Sequence, residues 1–409
     1  MNGTENPYRP GFSQAPEVLV GRDDVLAAAL AAVAVAAAGR TPRPLMLVGT
    51  RGVGKTVLLA EIARRIGAER GWPRLRAEST PQASLCDQLI ARAEALAGVF
   101  PDSPTPRRFR VADATVRAGI GAVGADVRFH RASEPDVEES LRAEAALNTL
   151  AERAAANDSG VVLTLDEAHL ARRGDLGTIA AALQAGTEAG WPFVVVFAGL
   201  ASIRNPEQSV TYLERGEWHH IGSLDDANTL RALSLPASSA GRPLDTDAAQ
   251  YLAEQTGGYP YAIQLYGHHA WMAAEGQERI GMDAAVAGAK RAARELEEGL
   301  YAGRWAQSSA RERQYLAAVA ELIGRGEVAT GAAVAARLGL TTRQVSSYRE
   351  RLLTKGTLVA EASQLRFAVP GMAGYVLDHV DEIGGSERSN RRTSAVRGKS
   401  PQKRRPASG

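Results

Sequence analysis

The sequence predicts an α/β fold in which a parallel sheet is covered by helices on both faces. Helix-length stretches, at about 54–69, 83–97, 137–156 and 176–189, alternate with five short apolar runs that we interpret as strands. The runs are Pro44–Gly49, Arg74–Glu78, Val161–Asp166, Pro192–Ala198 and His219–Leu224. Strands that alternate with helices of this length form parallel sheets that are buried on both faces. The third and fourth runs are almost wholly apolar, which predicts that they are the central strands.

The length of 409 residues predicts two or three domains. From composition and pattern we expect five parts: a flexible N-terminal segment (1–16), the sheet domain (17–224), an all-helical unit (225–306), a third unit (307–383) and a disordered basic tail (384–409). Residues 101–135 interrupt the sheet domain. They are interpreted as a hairpin-like insertion, and a long surface loop is the alternative.

Charge and cysteine usage exclude some classes of protein. The net charge is +2, but the chain from Ser386 onward carries eight basic residues and one acid, so the rest is mildly acidic. This excludes a uniformly cationic nucleic-acid coat protein and leaves a local DNA-binding face open. The single cysteine, Cys86, excludes an internal disulfide and fits a cytoplasmic location. The most apolar run, residues 25–38, is too short to cross a bilayer, so no membrane partner is expected.

A glycine-rich loop follows the first run and opens the next helix. It matches the pattern G-x-x-x-x-G-K-[ST] in full, with Gly49, Thr50, Arg51, Gly52, Val53, Gly54, Lys55 and Thr56. Its glycines allow backbone N–H groups to turn around a phosphate, and the helix N-terminus adds partial positive charge. Lys55 is expected to reach the β- and γ-phosphates, and Thr56 is expected to offer its hydroxyl to Mg²⁺. The sequence therefore predicts a site for ATP and Mg²⁺.

Two carboxylates end the third apolar run. Asp166 is expected to hold Mg²⁺ through its water shell, and Glu167 to polarise a water for attack on the γ-phosphate. The alternative is that the acid pair only caps a helix. His169 completes an Asp-Glu-Ala-His string like that of the DEAH-box helicases, but a helicase core needs two sheet domains and this chain has one. His169 is therefore interpreted as a structural or surface histidine.

The phosphate loop, the acid pair and the helical unit after the sheet together resemble the AAA+ ATPases. The resemblance covers residues 17–383 and is greatest to the branch of origin-recognition initiators, transposition-helper ATPases and STAND-type ATPases. It implies a P-loop NTPase three-layer sandwich with a helical lid and a C-terminal winged helix-turn-helix. Residues 17–25 resemble the box that lies against the adenine, which implies base contacts from Val20 and Arg22. The polar sensor of the family would fall at Ser202 or Asn205.

The resemblance also implies roles for two residues outside these motifs. Arg215, shortly before the fifth run, stands where the family has its arginine finger, which acts on a neighbour's γ-phosphate and requires a homo-oligomer in the ATP state. An ordinary exposed arginine in a loop is the alternative. Pro260 matches the Gly-x-Pro motif of STAND-type ATPases, in which the proline touches the base. Tyr261 stands where many AAA+ proteins have an arginine, and this favours slow hydrolysis.

The third unit resembles a winged helix-turn-helix. Helices are predicted at about 309–323, 330–338 and 341–354, followed by strands at 357–361 and 364–369 and a last helix over 371–382. The third of these helices would present Arg343, Gln344, Ser347 and Arg349 to double-stranded DNA. Winged helices also mediate protein contacts, so a protein partner is the alternative.

The leading prediction from the sequence is an AAA+ ATPase that couples ATP binding and hydrolysis to DNA engagement, as an initiator or a transposition helper does. The alternative is a STAND-like regulatory switch with little turnover. In that case the C-terminal unit would serve protein contacts or transcriptional regulation. The basic tail would add sequence-independent attraction to phosphate, or would only keep the protein soluble.

Overall fold

The computed structural model describes residues 5–11, 14–80, 82–101, 137–204, 211–361 and 363–382. It forms two compact units, Met1–Ala289 and Lys290–Gly409. The predicted basic tail and, apart from Pro101, the predicted hairpin-like insertion lie outside the described residues. The five domain boundaries stay predictions.

A five-stranded parallel sheet organises the first unit. Its strands are β1 (Leu45–Val48), β2 (Arg74–Glu78), β3 (Val161–Asp166), β4 (Phe193–Gly199) and β5 (Glu217–His220). Their order across the sheet is β2-β3-β4-β1-β5, with every pair parallel. This is the α/β fold of a P-loop NTPase, as the sequence predicts. Central β3 and β4 are buried along their whole length.

The fifth strand lies two residues earlier than its predicted position at 219–224. Leu45 of β1 pairs with Glu217, and the ladder ends soon after, where the N–H of Ile221 donates to the carbonyl of Val48. Beyond it the chain turns toward the helices that follow the sheet, because the N–H of Leu224 donates to the carbonyl of Gly258. The sequence pattern identified the apolar residues of this segment. It did not indicate that hydrogen bonding to β1 ends at Ile221 and that Leu224 already bonds to the lid.

Helices cover both faces of the sheet. The helices of this part are α1 (Asp23–Ala37), α2 (Lys55–Arg70), α3 (Leu85–Ala97), α4 (Val137–Ala156), α5 (Arg173–Ala189) and the short α6 (Thr211–Glu214). On one face, α3, α4 and α5 pack against alternate strand residues such as Leu163 and Phe197, with Leu89 and Leu147 in the centre of that core. On the other face, α1 contacts β4 and α2 contacts β3. These two cores hold the strand ends, where the site lies, in fixed positions.

A small helical lid follows the sheet within the first unit. It comprises α7 (Asp226–Ser239), α8 (Thr246–Thr256), α9 (Pro260–Ala273) and the beginning of α10 (Met282–Glu295). The Asp225 side chain caps α7 by accepting from the N–H of Asn228, and Pro260 occupies the first turn of α9, where its missing N–H costs nothing. Among the described residues, no helix is both long and apolar enough to cross a membrane.

The N-terminal residues differ from the prediction of a flexible segment over 1–16. Residues 5–11 lie against the lid, and only 2% of the surface of Tyr8 is exposed. Burial of an aromatic side chain contributes roughly 1.5–3 kcal/mol, which offsets the entropy lost when a short segment is ordered. The sequence pattern missed this because a lone tyrosine among polar and proline residues gives no periodic signal.

The second unit contains three helices followed by a two-stranded hairpin. After α10 come a π-helical turn (Leu296–Tyr301) and α11 (Ala302–Ala306), so the end of the predicted all-helical unit consists of three helical segments. The rest of the unit consists of α12 (Ala310–Gly324), α13 (Gly331–Arg337), α14 (Thr342–Thr354), β6 (Leu358–Glu361), β7 (Gln364–Phe367) and α15 (Met372–Asp378). Strands β6 and β7 are antiparallel, and Thr330 forms a further bridge to Gln364.

A buried carboxylate ties α12 to α14 in this unit. The side chain of Glu312 is 1% exposed and forms salt bridges to Arg351 (2.9 Å) and Lys355 (2.8 Å). It also accepts from the backbone N–H of Ser309, which closes a capping box. Burial acts to raise the pKa of Glu312, but the hydrogen bonds from Lys355, Ser309 and Arg351 outweigh it and lower this pKa to about 2.

We expect Glu312→Gln to destabilise the second unit by about 3 kcal/mol, because two cations lose their buried partner. The folded-state pKa lies below the ordinary value of 4.5, so the stabilisation is complete above pH 4.5 and is lost as the pH falls toward about 2. Denaturant unfolding between pH 2 and 6, with amide exchange in α12 and α14, measures both effects. Glu327→Gln, at an exposed carboxylate of the same unit, is the control. An equal acid dependence in Glu312→Gln and the native protein would contradict this account.

Candidate functional site

The phosphate loop connects β1 to α2. At two of its positions another segment of the chain approaches so closely that only glycine fits. A Cβ atom at Gly49 would lie 2.0 Å from the carbonyl oxygen of Ile221, and one at Gly52 would lie 1.9 Å from the hydroxyl of Tyr259. Gly52 and Gly54 have φ of 82° and 88°, the left-handed region that other residues rarely adopt. The loop therefore takes its shape from glycine at three positions.

Lys55 is the buried cation of the loop. Its Nζ donates to the carbonyl oxygens of Gly49 (3.0 Å) and Thr50 (2.8 Å). Burial lowers the pKa of Lys55, and the nearby carboxylates of Glu167 and Asp166 act against this. The amine is thus held in the concave side of the loop by weak, neutral acceptors that an anion can replace.

The loop and the third strand meet through one hydrogen bond. The hydroxyl of Thr56 donates to Oδ2 of Asp166 at 2.7 Å, and Oδ1 of Asp166 accepts from the N–H of Glu167 at 2.9 Å. Only 2% of Asp166 is exposed. A hydroxyl and a carboxylate in contact form an all-oxygen donor pair, which is what Mg²⁺ prefers. The two residues that the sequence predicts for the metal are therefore together and fit it.

Glu167 lies beside this pair with an unusual backbone. Its φ is 49°, so the chain turns sharply at the end of β3, and its side chain lines a cavity together with the loop. Burial raises the pKa of Glu167, and the charge of Lys55 opposes the shift. A residue that only capped a helix would not need this strained conformation, so the backbone favours a role for the carboxylate.

His169 is buried next to Glu167, which the sequence analysis missed. Its Nδ1 lies 3.2 Å from Oε2 of Glu167 and accepts from the N–H of Leu200, the first residue after β4. Burial lowers the pKa of His169 to about 4, and the charges of Lys55 and Arg51 act in the same direction. The neutral ring is thus fixed by the end of the neighbouring strand, and its Nδ1, which accepts from Leu200, has no proton to donate to the Glu167 carboxylate beside it. Of the two predicted interpretations, a structural or a surface histidine, the buried ring agrees with the first, and what the sequence did not indicate is its position beside Glu167.

The lid reaches the phosphate loop through Tyr259, a second residue that sequence reasoning missed. Its hydroxyl donates to the carbonyl of Arg51 at 2.7 Å, and its ring is 1% exposed. The following residues, Pro260 and Tyr261, line the same cavity as the loop. The signal for Tyr259 lay in its place between Gly258 and Pro260, but nothing local indicated what its hydroxyl would contact.

The cavity has a volume of about 630 Å³, which is ample for a nucleotide. At one end lie the loop and Glu167. The remaining lining is largely apolar and comes from three segments: the N-terminal residues, the lid, and Leu224 between sheet and lid. The apolar residues there are Pro10, Pro16, Val18, Leu19, Val20, Leu224, Ala232, Pro260 and Ile263. A phosphate-binding end and an apolar end in one cavity suit a molecule that carries both phosphates and a planar base.

Val20 and Arg22, like Pro260, were predicted to lie near the base, and they line this cavity. The guanidinium of Arg22, however, donates to the carbonyls of Gly222 (2.6 Å) and Val53 (3.4 Å). It therefore joins the phosphate loop to the segment after β5. Ser202 lies in the turn Ala201–Arg204 after β4, and Asn205 lies outside the described residues.

Arg215 does not join this site. It is exposed and immediately precedes β5, whereas the loop follows the opposite end of the neighbouring β1. The carbonyl of Arg215 accepts from Nε of Arg43 (2.9 Å), which fixes the Arg215 backbone. Arg215 lines a separate surface pocket together with Pro44 and Tyr212. Any action of Arg215 on a phosphate would thus have to be on another molecule.

The four residues predicted to contact DNA lie on α14 but do not act as one face. Arg343 and Ser347 are exposed and one turn apart. Oε1 of Gln344 accepts from the N–H and hydroxyl of Thr341, so its amide is partly used in a capping box. Arg349 is half-buried and lies beside α13, where a Cβ at Gly331 would be 3.6 Å from its Cδ.

Comparison with known protein families gives a match for the part of the chain that contains the phosphate loop and the acid pair. Residues 18–196 match the family model described as AAA ATPase domain. This part of the chain is therefore similar to AAA ATPase domains. Residues 298–376 match a second model, a domain of unknown function (DUF8462). No curated protein matches the chain.

Solved structures resemble the chain at low sequence identity. The Walker-type ATPase PABY2304 of Pyrococcus abyssi is 16% identical over 88% of this chain and 97% of its own, with a TM-score of 0.55. The RuvB Holliday junction branch migration motor of Thermotoga maritima is 18% identical over 88% and 95%, at 0.46. The Orc1 protein of Aeropyrum pernix, solved in complex with DNA, is 16% identical over 91% and 95%, at 0.46. The Pyrococcus structure shows that the fold is shared.

The contact between Tyr259 and the AAA+ phosphate loop yields a prediction on stability. Tyr259→Phe should lower the free energy of unfolding by about 1 kcal/mol, because the Arg51 carbonyl loses its donor. Gly52→Ala should cost more, about 2 kcal/mol or above, because the new Cβ meets the Tyr259 hydroxyl at a positive φ.

The double variant decides whether the two effects share one contact. Because the hydroxyl, the atom nearest the new Cβ, is gone and only the ring Cζ at 2.6 Å remains, Gly52→Ala with Tyr259→Phe should be less destabilised than the sum of the singles. Denaturant unfolding, with amide exchange in α2 as the local probe, measures this. Strict additivity would mean that the hydroxyl and the glycine act independently.

Proposed function

We propose that the first unit binds ATP with Mg²⁺ and hydrolyses the γ-phosphate, and that the second unit engages DNA. The observation that carries the ATP part is the single cavity that brings together the phosphate loop, Glu167 and the apolar lid and N-terminal residues. The AAA ATPase domain match over 18–196 supports the same assignment.

In this proposal the phosphates of ATP lie in the loop. Lys55 exchanges its two carbonyl partners for β- and γ-phosphate oxygens, and the backbone N–H groups at the start of α2 complete the cradle. Thr56 and Asp166 hold Mg²⁺, which neutralises phosphate charge when bound. The base lies at the apolar end, beside Val20 and Pro260.

Glu167 serves as the general base. Its carboxylate accepts a proton from a water as the water oxygen attacks the γ-phosphorus, and the bond to the β-γ bridging oxygen breaks to release ADP. The raised pKa of Glu167, caused by burial, makes it a better proton acceptor. Arg215 would act on the γ-phosphate of a neighbouring copy in an ATP-dependent homo-oligomer.

Two substitutions separate binding from chemistry. Lys55→Ala should weaken ATP binding strongly, because the loop loses its cation. Glu167→Gln should leave ATP and Mg²⁺ bound while turnover falls by about a hundredfold or more, because the water loses its base. Fluorescent-nucleotide titration and single-turnover hydrolysis measure the two steps.

The matched controls are exposed residues outside the cavity, Lys290→Ala and Glu254→Gln, which should behave as the native protein does. Unchanged ATP affinity in Lys55→Ala would remove the loop from the proposal. Turnover that survives in Glu167→Gln would reduce the acid pair to a structural role.

The DNA part of the proposal rests on α14 and the hairpin that follows it. Three helices with a two-stranded wing, and Thr330 bridging to Gln364, support a winged helix-turn-helix in the second unit. Arg343 and Ser347 share the exposed face of α14 and would enter the major groove. Gln344 and Arg349 would contribute from the flanks, each limited by the contact it already makes.

Substitutions on α14 test this interface. Arg343→Ala should weaken duplex binding by about 1–3 kcal/mol if it contacts a base, and by less if it contacts only phosphate. Arg349→Ala should have the smaller effect, because its side chain lies against α13. Arg325→Ala removes the same charge from an exposed position outside α14 and is the control. Fluorescence anisotropy at several salt concentrations measures all three, and equal losses at Arg325 and Arg343 would indicate non-specific attraction alone.

A STAND-like nucleotide switch is the second candidate, favoured by one observation. Tyr261 lines the cavity at the position where many AAA+ proteins carry a lid arginine. A phenol supplies no fixed positive charge to a developing phosphate charge. Slow turnover with long retention of ADP would support the switch, in which the second unit docks a protein partner. Hydrolysis stimulated by duplex DNA would support the first proposal.

A further inference from the structure

The N-terminal residues connect the lid to the sheet domain across the nucleotide cavity. We call the described residues 5–11 and 14–20 the N-terminal strap. Its first part lies on lid helices α7 and α9, its later residues line the cavity, and it ends at buried Val20. Arg22, two residues further on, donates to the phosphate loop at Val53 and to the segment after β5 at Gly222. The strap is therefore fixed at both ends.

Tyr8 is the anchor at the lid end. Its ring fits against Gly267 in α9, where a Cβ atom would lie 2.4 Å from the ring carbons. Its hydroxyl donates to the carbonyl of Leu233 in α7. A glycine within a helix is less favourable than alanine, so Gly267 provides the room for this ring at the expense of helix stability.

Polar contacts on both sides of Tyr8 extend the anchor. Nδ2 of Asn6 donates to the carbonyl of His268 (3.2 Å), and Oδ1 of Asn6 accepts from the N–H of Tyr8 (3.0 Å). The N–H of Arg9 donates to Oε1 of Gln264 (3.0 Å). Gln264 itself lines the cavity, so the anchor reaches the wall of the site.

The strap forms one wall of the apolar end of the cavity. Pro10, Pro16, Val18 and Leu19 lie on the strap side, and Ala232 and Ile263 lie on the lid side. The phosphate loop is at the other end. A base held between these apolar walls would contact the strap on one side and the lid on the other.

We propose that the contact of Tyr8 with Gly267, which holds the N-terminal strap along the apolar end of the cavity, controls how fast a bound nucleotide leaves. The inference rests on the proposed nucleotide function of this cavity. Its chemistry is specific: the ligand must carry a planar base as well as phosphates. Tyr8 is a positioning residue, because it acts through the strap and does not itself line the cavity.

Two variants disrupt the contact between Tyr8 and Gly267, one from the strap and the other from the lid. Tyr8→Ala removes the ring, and Gly267→Ala fills its place while leaving the strap sequence intact. Burial of such a ring is worth roughly 1.5–3 kcal/mol, so each should raise the dissociation rate constant of fluorescent ADP by about tenfold to a hundredfold. Tyr8→Phe, which removes only the hydroxyl, should have a smaller effect. Stopped-flow displacement by excess ADP measures these rates.

Three comparisons distinguish the strap from a general structural effect. Gly177→Ala, at a helical glycine with no atom near the new Cβ, should release ADP at the native rate. The double variant Tyr8→Ala with Gly267→Ala should release ADP no faster than the faster single, because the methyl then displaces nothing. The affinity for tripolyphosphate, which lacks a base, should be unchanged in every variant. Amide exchange of residues 5–11 should slow in the native protein when ADP binds.

The outcomes separate this inference from the proposed function. If the native protein binds neither ADP nor tripolyphosphate, the nucleotide site itself is wrong. If it binds both, and Tyr8→Ala and Gly267→Ala release ADP at the native rate, the site stands and the strap inference is overturned. A parallel loss of tripolyphosphate affinity in folded variants would also overturn it, since the strap would then act on the loop and not on the base.

Discussion

The close approach of other segments to the phosphate loop is the constraint on which the first unit depends. Gly49 leaves room only for the carbonyl of Ile221, and Gly52 leaves room only for the hydroxyl of Tyr259. One contact comes from the end of the sheet and the other from the lid. The Tyr259 hydroxyl positions the loop by a directional hydrogen bond to Arg51, and the Ile221 carbonyl positions it by close packing. A side chain at either glycine would separate the sheet, the loop and the lid together.

Electrostatics in the site are balanced around Lys55. Burial disfavours its charge, and Glu167 and Asp166 compensate, so the cation and the acids depend on one another. The same burial raises the pKa of Glu167 and, with the charges of Lys55 and Arg51, lowers that of His169. Lys55 could therefore exchange the carbonyls of Gly49 and Thr50 for oxygens of an anion, and the charge of that anion would be buried next to a cation.

The fold and the phosphate end of the site could be predicted because their signals are local. The apolar strand runs, the glycine-rich loop and the acid pair can each be recognised from a pattern of a few consecutive residues. Tyr8, Tyr259 and the true start of β5 could not be predicted, because each is defined by a partner far along the chain. On α14, polarity predicted exposure correctly for Arg343, but it could not tell that Gln344 would cap its own helix.

Three consecutive lid residues connect these observations. Gly258 has a φ of 70° and its carbonyl accepts from Leu224, Tyr259 contacts the loop, and Pro260 lines the cavity. Backbone, hydroxyl and ring thus fix the lid to three different parts of the site within one short turn. Tyr259, which holds the carbonyl of Arg51, is also the residue that caps the start of α9. Gly267, against which Tyr8 packs, lies further along α9, so the contacts of the phosphate loop and of the N-terminal strap with the lid are made at one helix.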